Sequence, residues 1–118
     1  MNINVRRVAE PTEVAVVRVI GDVDVGDQGV DQLRAALDEL VESGARYVLI
    51  DLTDTTFVVS RGFGQMLVAL ARLRTRGGDL RVAGASGSVL KAAQTVGLDA
   101  ILQFHRTPEE GIAGFATT

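Results

Sequence analysis

Hydrophobic positions change their period along the chain, and each change marks an element. Ile3, Val5 and Val8 stand apolar among polar neighbours and predict a short opening strand. Glu10-Pro11-Thr12 is a turn signal, and the β-branched run Val14 to Ile20 predicts a well-buried strand paired with the first as a hairpin. Gly21-Asp22-Val23-Asp24-Val25-Gly26-Asp27 breaks the pattern and reads as a loop. From Val30 the period becomes helical, with Leu33, Leu37, Leu40 and Val41 on one side and Gly44 closing the helix. Arg46 to Leu52 predicts a third strand. A second helix runs from about Arg61, with Phe63, Leu67, Leu70 and Leu73 on one face, and stops at Gly77-Gly78. Leu80 to Ala83 is a fourth strand. Ser86 is placed to cap a third helix, with Val89, Ala93 and Val96 pointing inward and Gly97 ending it. Ala100 to Phe104 predicts a short fifth strand. Thr107-Pro108-Glu109-Glu110 has the signature of a helix start, although Gly111 and Gly114 weaken the last helix that it opens.

This alternation of strands and helices implies right-handed crossovers and a mostly parallel sheet, with the N-terminal hairpin adding an antiparallel edge. The expected fold class is therefore α/β, as one domain over residues 1–118 with helices packed on a central sheet. Nearly half the residues (47%) are hydrophobic and only 4% aromatic, so the core must be built from Val, Leu, Ile and Ala.

Charge and composition narrow the function. The net charge of −3 and scattered arginines provide no basic patch, so nucleic acid is not an expected partner. With no cysteine, disulfides and thiolate chemistry are excluded, which fits a reducing cytoplasm. Apolar runs fall far short of the roughly 20 residues that span a bilayer, so no membrane insertion is expected. The N-terminus Met1 to Arg7 lacks the apolar core of a signal peptide, and the expected location is the cytoplasm.

Candidate chemistry concentrates in Asp54-Thr55-Thr56-Phe57-Val58-Val59-Ser60-Arg61-Gly62-Phe63-Gly64, between the third strand and the second helix. Ser60 falls where the loop ends. Its hydroxyl could cap backbone N–H groups, or, once phosphorylated, hold an anion where the helix dipole favours one; the two roles are compatible. A nucleophilic serine is disfavoured, because the hydrolase elbow needs glycine two residues earlier and Val58 stands there. The lone histidine, His105, reads as a surface or half-buried residue. Asp22, Asp24, Asp27 and Asp31 lack the glutamate and glycine placement of a calcium loop and read as a solvated acidic loop with Asp27 as a helix cap. Gly84-Ala85-Ser86-Gly87-Ser88 with Lys91 has the wrong spacing for a phosphate-binding loop and reads as a tight turn with a capping serine.

Four local patterns, in order along nearly the whole chain, resemble the STAS domains of bacterial anti-sigma factor antagonists. Ile20-Gly21-Asp22-Val23-Asp24 is similar to that family's Gly-Glu-Leu-Asp turn, and Val48-Leu49-Ile50-Asp51-Leu52 to its central strand. Thr56 to Gly64 is similar to its Phe-Met-Asp-Ser-Ser/Thr-Gly-Leu-Gly stretch, and Gly77-Gly78-Asp79-Leu80-Arg81-Val82 with Val96-Gly97-Leu98 to its fourth strand and the following helix end. The resemblance implies a STAS-like fold and a protein-binding switch that is not itself an enzyme and carries no cofactor. Ser60 falls on the family's phosphoacceptor. The expected partner is an anti-sigma factor serine kinase with its own ATP, with a homodimer as a further option. Partner contact is expected at Gly21, Asp22, Asp24, Val59, Arg61, Gly62, Phe63, Gly64 and Ser86. Two residues depart from the family pattern: Val59 replaces an Asp, and Arg61 replaces a second Ser or Thr. An alternative role, a non-switching subunit of a signalling scaffold or transport assembly, is implied by those departures.

Overall fold

The computed structural model describes residues 1–24, 26 and 28–117. Five strands, β1 (Asn2–Val8), β2 (Val14–Ile20), β3 (Tyr47–Asp54), β4 (Asp79–Ala83) and β5 (Phe104–His105), form one sheet in the order β1-β2-β3-β4-β5. β1 runs antiparallel to β2, pairing Asn2 with Ile20 and Val8 with Val14. The other neighbours are parallel, so Ile50 lies between Val17 and Val82. The crossovers are helices, as parallel neighbours require: α1 (Gly29–Glu42), α2 (Ser60–Arg74) and α3 (Gly87–Thr95), followed by α4 (Pro108–Phe115) after β5.

Strand alternation divides the interior between the two faces of the sheet. Ala15, Val17 and Val19, Val48, Ile50 and Leu52, and Leu80 and Val82 point to one face, where they meet Leu33, Leu37, Met66, Leu70 and Leu73 of α1 and α2 and Val89 and Ala93 of α3. Val14, Val16, Leu49 and Ala83 point to the other face, covered by Phe115 and Ile112 of α4. Gly111 and Gly114, which weaken α4 by propensity, are required by packing. A Cβ on Gly111 would lie 2.7 Å from Leu49 Cδ1, and one on Gly114 would lie 2.8 Å from Arg81 Nη1.

The second face also carries buried charge. Arg81 Nε donates to Asp79 Oδ2 at 3.1 Å, and its guanidinium lies 4.8 Å from the centre of the Phe115 ring. His105 is half-buried, and its Nε2 is enclosed without a hydrogen-bond partner among the described residues. Burial, and after it the charge of Arg81, hold the His105 imidazole below its ordinary range, while Glu110 pulls the other way.

Three expectations are corrected. Ala100 to Phe104 is not a strand: Leu98–Ala100 forms a 3₁₀ turn, and the strand is Phe104–His105. Leu98 and Leu102 are both buried at a helical spacing, and the Leu98 carbonyl accepts from Ile101 N at 3.0 Å and Leu102 N at 2.8 Å. Val96 does not point inward; α3 ends at Thr95, the helical period lapses, and Val96 is 67% exposed. The second helix begins one residue before Arg61, at Ser60, which changes the role of that serine. The expected Asp27 cap lies outside the described residues. Gly44 does close α1, in the left-handed region at φ 90°.

Candidate binding and modification site

The site is assembled where β2 and β3 leave the sheet together. Gly21, at φ 101°, turns the chain out of β2 while its N–H donates to the Asp54 carbonyl at 3.1 Å. Beyond that turn the two segments stay paired. Val23 N donates to Phe57 O, and Val59 N donates to Val23 O, each at 2.9 Å, giving a parallel bridge between Val23 and Val58. Thr55, buried beneath, donates its hydroxyl to Val19 O at 3.0 Å.

Asp22 holds the loop from the side. Its Oδ1 accepts from Thr56 N at 3.0 Å, Thr56 Oγ1 at 2.9 Å and Phe57 N at 3.1 Å. The Thr56 bonds, with a smaller contribution from Phe57, lower the Asp22 carboxyl below its ordinary range against a small opposing cost of burial. The expected interface residue Asp22 is thus exposed and also anchors the loop. Asp24 is half-buried, and its carbonyl accepts from Val30 N at 3.3 Å. On the far side, Ser88 Oγ donates to Thr56 O at 3.3 Å, joining the start of α3 to the same loop.

Ser60 is the first residue of α2 and is not its cap. Val59 occupies the cap position in an extended conformation (φ −70°, ψ 154°), and no side chain caps the helix. The Val59 carbonyl accepts from Gly62 N at 2.8 Å and Phe63 N at 3.3 Å, so the helix starts there and the serine falls one position inside. Ser60 is exposed, and among the described residues its hydroxyl has no hydrogen-bond partner. Ser86, in contrast, caps α3 as expected, accepting from Val89 N at 3.4 Å; it is half-buried and 3.2 Å from Ser88 Oγ.

The remaining expected contact residues separate into two groups. Gly62 and Phe63 are buried and shape the site from beneath. A Cβ on Gly62 would lie 2.9 Å from Val23 Cγ1 and 3.0 Å from Val58 Cγ1, so glycine lets α2 dock on the Val23–Val58 bridge. Arg61 is exposed, Val59 and Gly64 are half-exposed, and a Cβ on Gly64 would meet nothing within 4 Å. Missing from the expected set is a groove of about 310 Å³ between α2 and α3, lined by Ser60, Phe63, Gly64, Leu67, Ala92 and Val96 among others. The apolar character of Leu67 and Val96 was visible in the sequence, but both read as core. Exposed Phe57 adds apolar surface to the same loop.

The site is thus an exposed serine at the uncapped start of a helix, carried on an α/β domain with a five-stranded mixed sheet. A STAS-domain family profile matches residues 6–111, and the chain belongs to the STAS domain family. Among solved structures, the fold is similar to the anti-sigma factor antagonist SpoIIAA in its unphosphorylated form, at TM-score 0.77 and 24% identity over 98% of each chain. The phosphorylated form of SpoIIAA, from Bacillus, aligns at TM-score 0.68 and 24% identity, over 94% of this chain and 98% of that one. An anti-sigma factor antagonist from Mycobacterium paratuberculosis aligns at TM-score 0.81 and 19% identity, over 97% and 94%. No curated protein sequence matches the chain. Among the described residues, no group of three His, Cys, Asp or Glu is placed to hold a metal ion, and no helix is long and apolar enough to cross a membrane.

Proposed function

We propose that this chain is a cytoplasmic anti-sigma factor antagonist: a binding module, without catalysis of its own, that sequesters a serine-kinase anti-sigma factor and is released by phosphorylation of Ser60. The observation that carries the reading is the free, exposed Ser60 hydroxyl on the first residue of α2. A kinase needs an accessible acceptor, and a phosphate formed there meets uncapped N–H groups and the positive end of the helix dipole. SpoIIAA, with the same fold, has been described in both phosphorylated and unphosphorylated forms. A phosphoserine adds about −1.5 to −2 charges. The domain accommodates that charge at the helix start, while a partner surface fitted to a neutral hydroxyl does not, so binding is lost and the fold is retained.

Incubation with the cognate kinase and ATP should add one phosphate, absent in Ser60→Ala, with the melting temperature nearly unchanged and kinase affinity reduced by two or more orders of magnitude. Mass spectrometry placing the phosphate elsewhere, or finding none with a kinase shown to be active, rejects the proposal. The departures Val59 and Arg61 favour a second reading, a non-switching subunit of a scaffold or transport assembly. Restoring the family pair with Val59→Asp and Arg61→Ser should speed phosphorylation under the first reading and change nothing under the second.

A further inference from the structure

The geometry points to Ser86 and Ser88 as positioning residues for the Ser60 loop: they open a one-way chain of hydrogen bonds that leaves α3, passes through the peptide group joining Thr56 to Phe57, and ends on the Asp22 carboxylate. The inference deepens the proposed function, because it rests on Ser60 being the acceptor that the loop presents. Donor counting sets the direction of the chain. A serine hydroxyl has one proton to donate and lone pairs with which to accept. Ser88 gives its proton to the Thr56 carbonyl at 3.3 Å, so the 3.2 Å contact between the two serines must be Ser86 Oγ donating to Ser88 Oγ. Ser86 has its proton available, because in the α3 cap it only accepts, from Val89 N at 3.4 Å. The other end of the same peptide group continues the chain, as Phe57 N donates to Asp22 Oδ1 at 3.1 Å.

Every bond in this chain points the same way, toward the one charged group in it. Bonds arranged like this polarise one another, and a charged acceptor at the end strengthens those that lead to it. The bonds are individually long, and Ser88, Thr56 and Phe57 are exposed, so no single one would hold the loop. Together with the bonds from Thr56 N and Oγ1 to Asp22, they engage every polar group of Thr56 from two different sides. The backbone is held before and after this peptide as well. Thr55 N donates to Leu52 O at 3.1 Å, and Val59 N donates to Val23 O at 2.9 Å. The hydroxyls of Thr55 and Thr56 are bonded to Val19 O and Asp22, whereas that of Ser60 has no partner among the described residues. A loop fixed throughout and carrying one free acceptor spares a kinase the ordering of its substrate before transfer. The chain therefore gives Ser86, expected at the partner contact, a task inside the domain, and gives Ser88 the same one.

Ser88→Ala breaks the chain without touching the α3 cap and is the primary test. In the isotope-labelled full chain, amide exchange of Phe57 should quicken about three- to tenfold, the span of one net hydrogen bond, while that of Val89 stays within about twofold. Ser88→Thr, which restores the hydroxyl, should return Phe57 to the rate of the unsubstituted protein. Ser86→Ala should quicken Phe57 as well and, having lost the cap, should also lower the melting temperature. Adding Ser88→Ala to it should quicken Phe57 no further, because the two serines act in series. With the cognate kinase and ATP, Ser88→Ala should lower kcat for Ser60 phosphorylation by a similar factor and leave KM within about twofold, with kcat restored in Ser88→Thr. A loss of stability alone would move the melting temperature and would not divide kcat from KM in this way. Unchanged Phe57 exchange in Ser88→Ala, no rescue by threonine, or additive losses in the double variant overturns the inference. The two readings fail separately. If exchange responds as described and Ser60 is never phosphorylated, the switch falls and the chain of bonds stands. If Ser60 is phosphorylated at one rate in every variant, the positioning role falls and the switch stands.

Discussion

Helices α2 and α4 begin in opposite ways. At the start of α4, Thr107 accepts from Glu110 N at 3.1 Å, Pro108 follows, and Glu109 and Glu110 place negative charge in the first turn. At the start of α2 there is a valine cap with no side-chain bond, no acid in the first turn, and an arginine in its place. Local chemistry fixes the start of α4. The start of α2 is fixed from outside, by the Val23–Val58 bridge, the Asp22 bonds and the seat beneath Gly62. The contrast shows how a fold keeps a helix N-terminus available: it removes the groups that would occupy the N–H donors and supplies the lost stability through tertiary contacts.

The largest effect should come from breaking the external support. Gly62→Ala gains helix propensity of about 0.5–1 kcal/mol but drives a methyl to within 2.9 Å of Val23 and 3.0 Å of Val58, an overpacking typically costing about 1–3 kcal/mol. A net loss of about 1–2 kcal/mol is expected in denaturant unfolding. Gly64→Ala, with no atom within 4 Å of its new methyl, should keep the propensity gain and stabilise. If the two alanines behave alike, α2 is not held by its seat on the bridge. Next in size is the local device: Thr107→Ala should cost about 1 kcal/mol, read as a lower melting temperature. Ser60→Ala, which removes no cap, should cost far less.

The same contrast accounts for how much of the molecule could be read from sequence. Strand and helix order, the antiparallel edge, and the caps at Ser86 and Thr107 were legible because each is dictated by local period or a single side-chain bond. The α2 start was legible in place but not in role. Ser60 resembles a cap, and its displacement to the first helical position is set by the pairing of Val59 N with Val23 O, between residues distant in sequence. Val96 and the Ala100–Phe104 segment failed for a related reason. Apolar residues there serve a groove rim and a 3₁₀ turn, and neither has a period of its own. Gly111 and Gly114 read only as weakening the last helix, because the close approach of Leu49 and Arg81 is invisible without the sheet beneath.

Lowering pH should distinguish the two helix ends without mutation. His105 beside α4 has its folded pKa lowered by burial and then by Arg81, so the native state favours the neutral ring. Its stabilising contribution is fully present above its ordinary value of 6.5 and is lost as pH falls from there toward the folded value. Asp22 beside α2 has its carboxyl lowered by the Thr56 bonds. Its contribution is present above its ordinary value of 3.8 and is lost as pH falls further, through the folded value. Melting followed by NMR should therefore show the signals of Gly114 and Phe115 responding in the milder acid step, and those of Thr56 and Phe57 in the stronger one. His105→Gln should remove the first step and Asp22→Asn the second. A single step common to both regions contradicts the assignment.

The smallest effect is expected from giving α2 the cap it lacks. Val59 already has the extended backbone of a cap residue, so Val59→Asp requires no rearrangement for its carboxylate to reach the N–H groups of the first turn. A cap of this kind is worth about 1 kcal/mol. Against it stands the loss of a half-buried valine that packs on the core beside Val58, a sizeable part of the roughly 1.5 kcal/mol for full burial. The net should be a gain of at most a few tenths of a kcal/mol at neutral pH, disappearing as the new carboxylate protonates. The informative reading is its coupling to phosphate. With valine at position 59, a phosphate on Ser60 has the first-turn N–H groups to itself; with aspartate it competes with a carboxylate and is repelled by it. Phosphorylation should then lower the melting temperature of Val59→Asp more than that of the unsubstituted protein. Equal shifts in the two would show that the phosphate does not use the open end of α2.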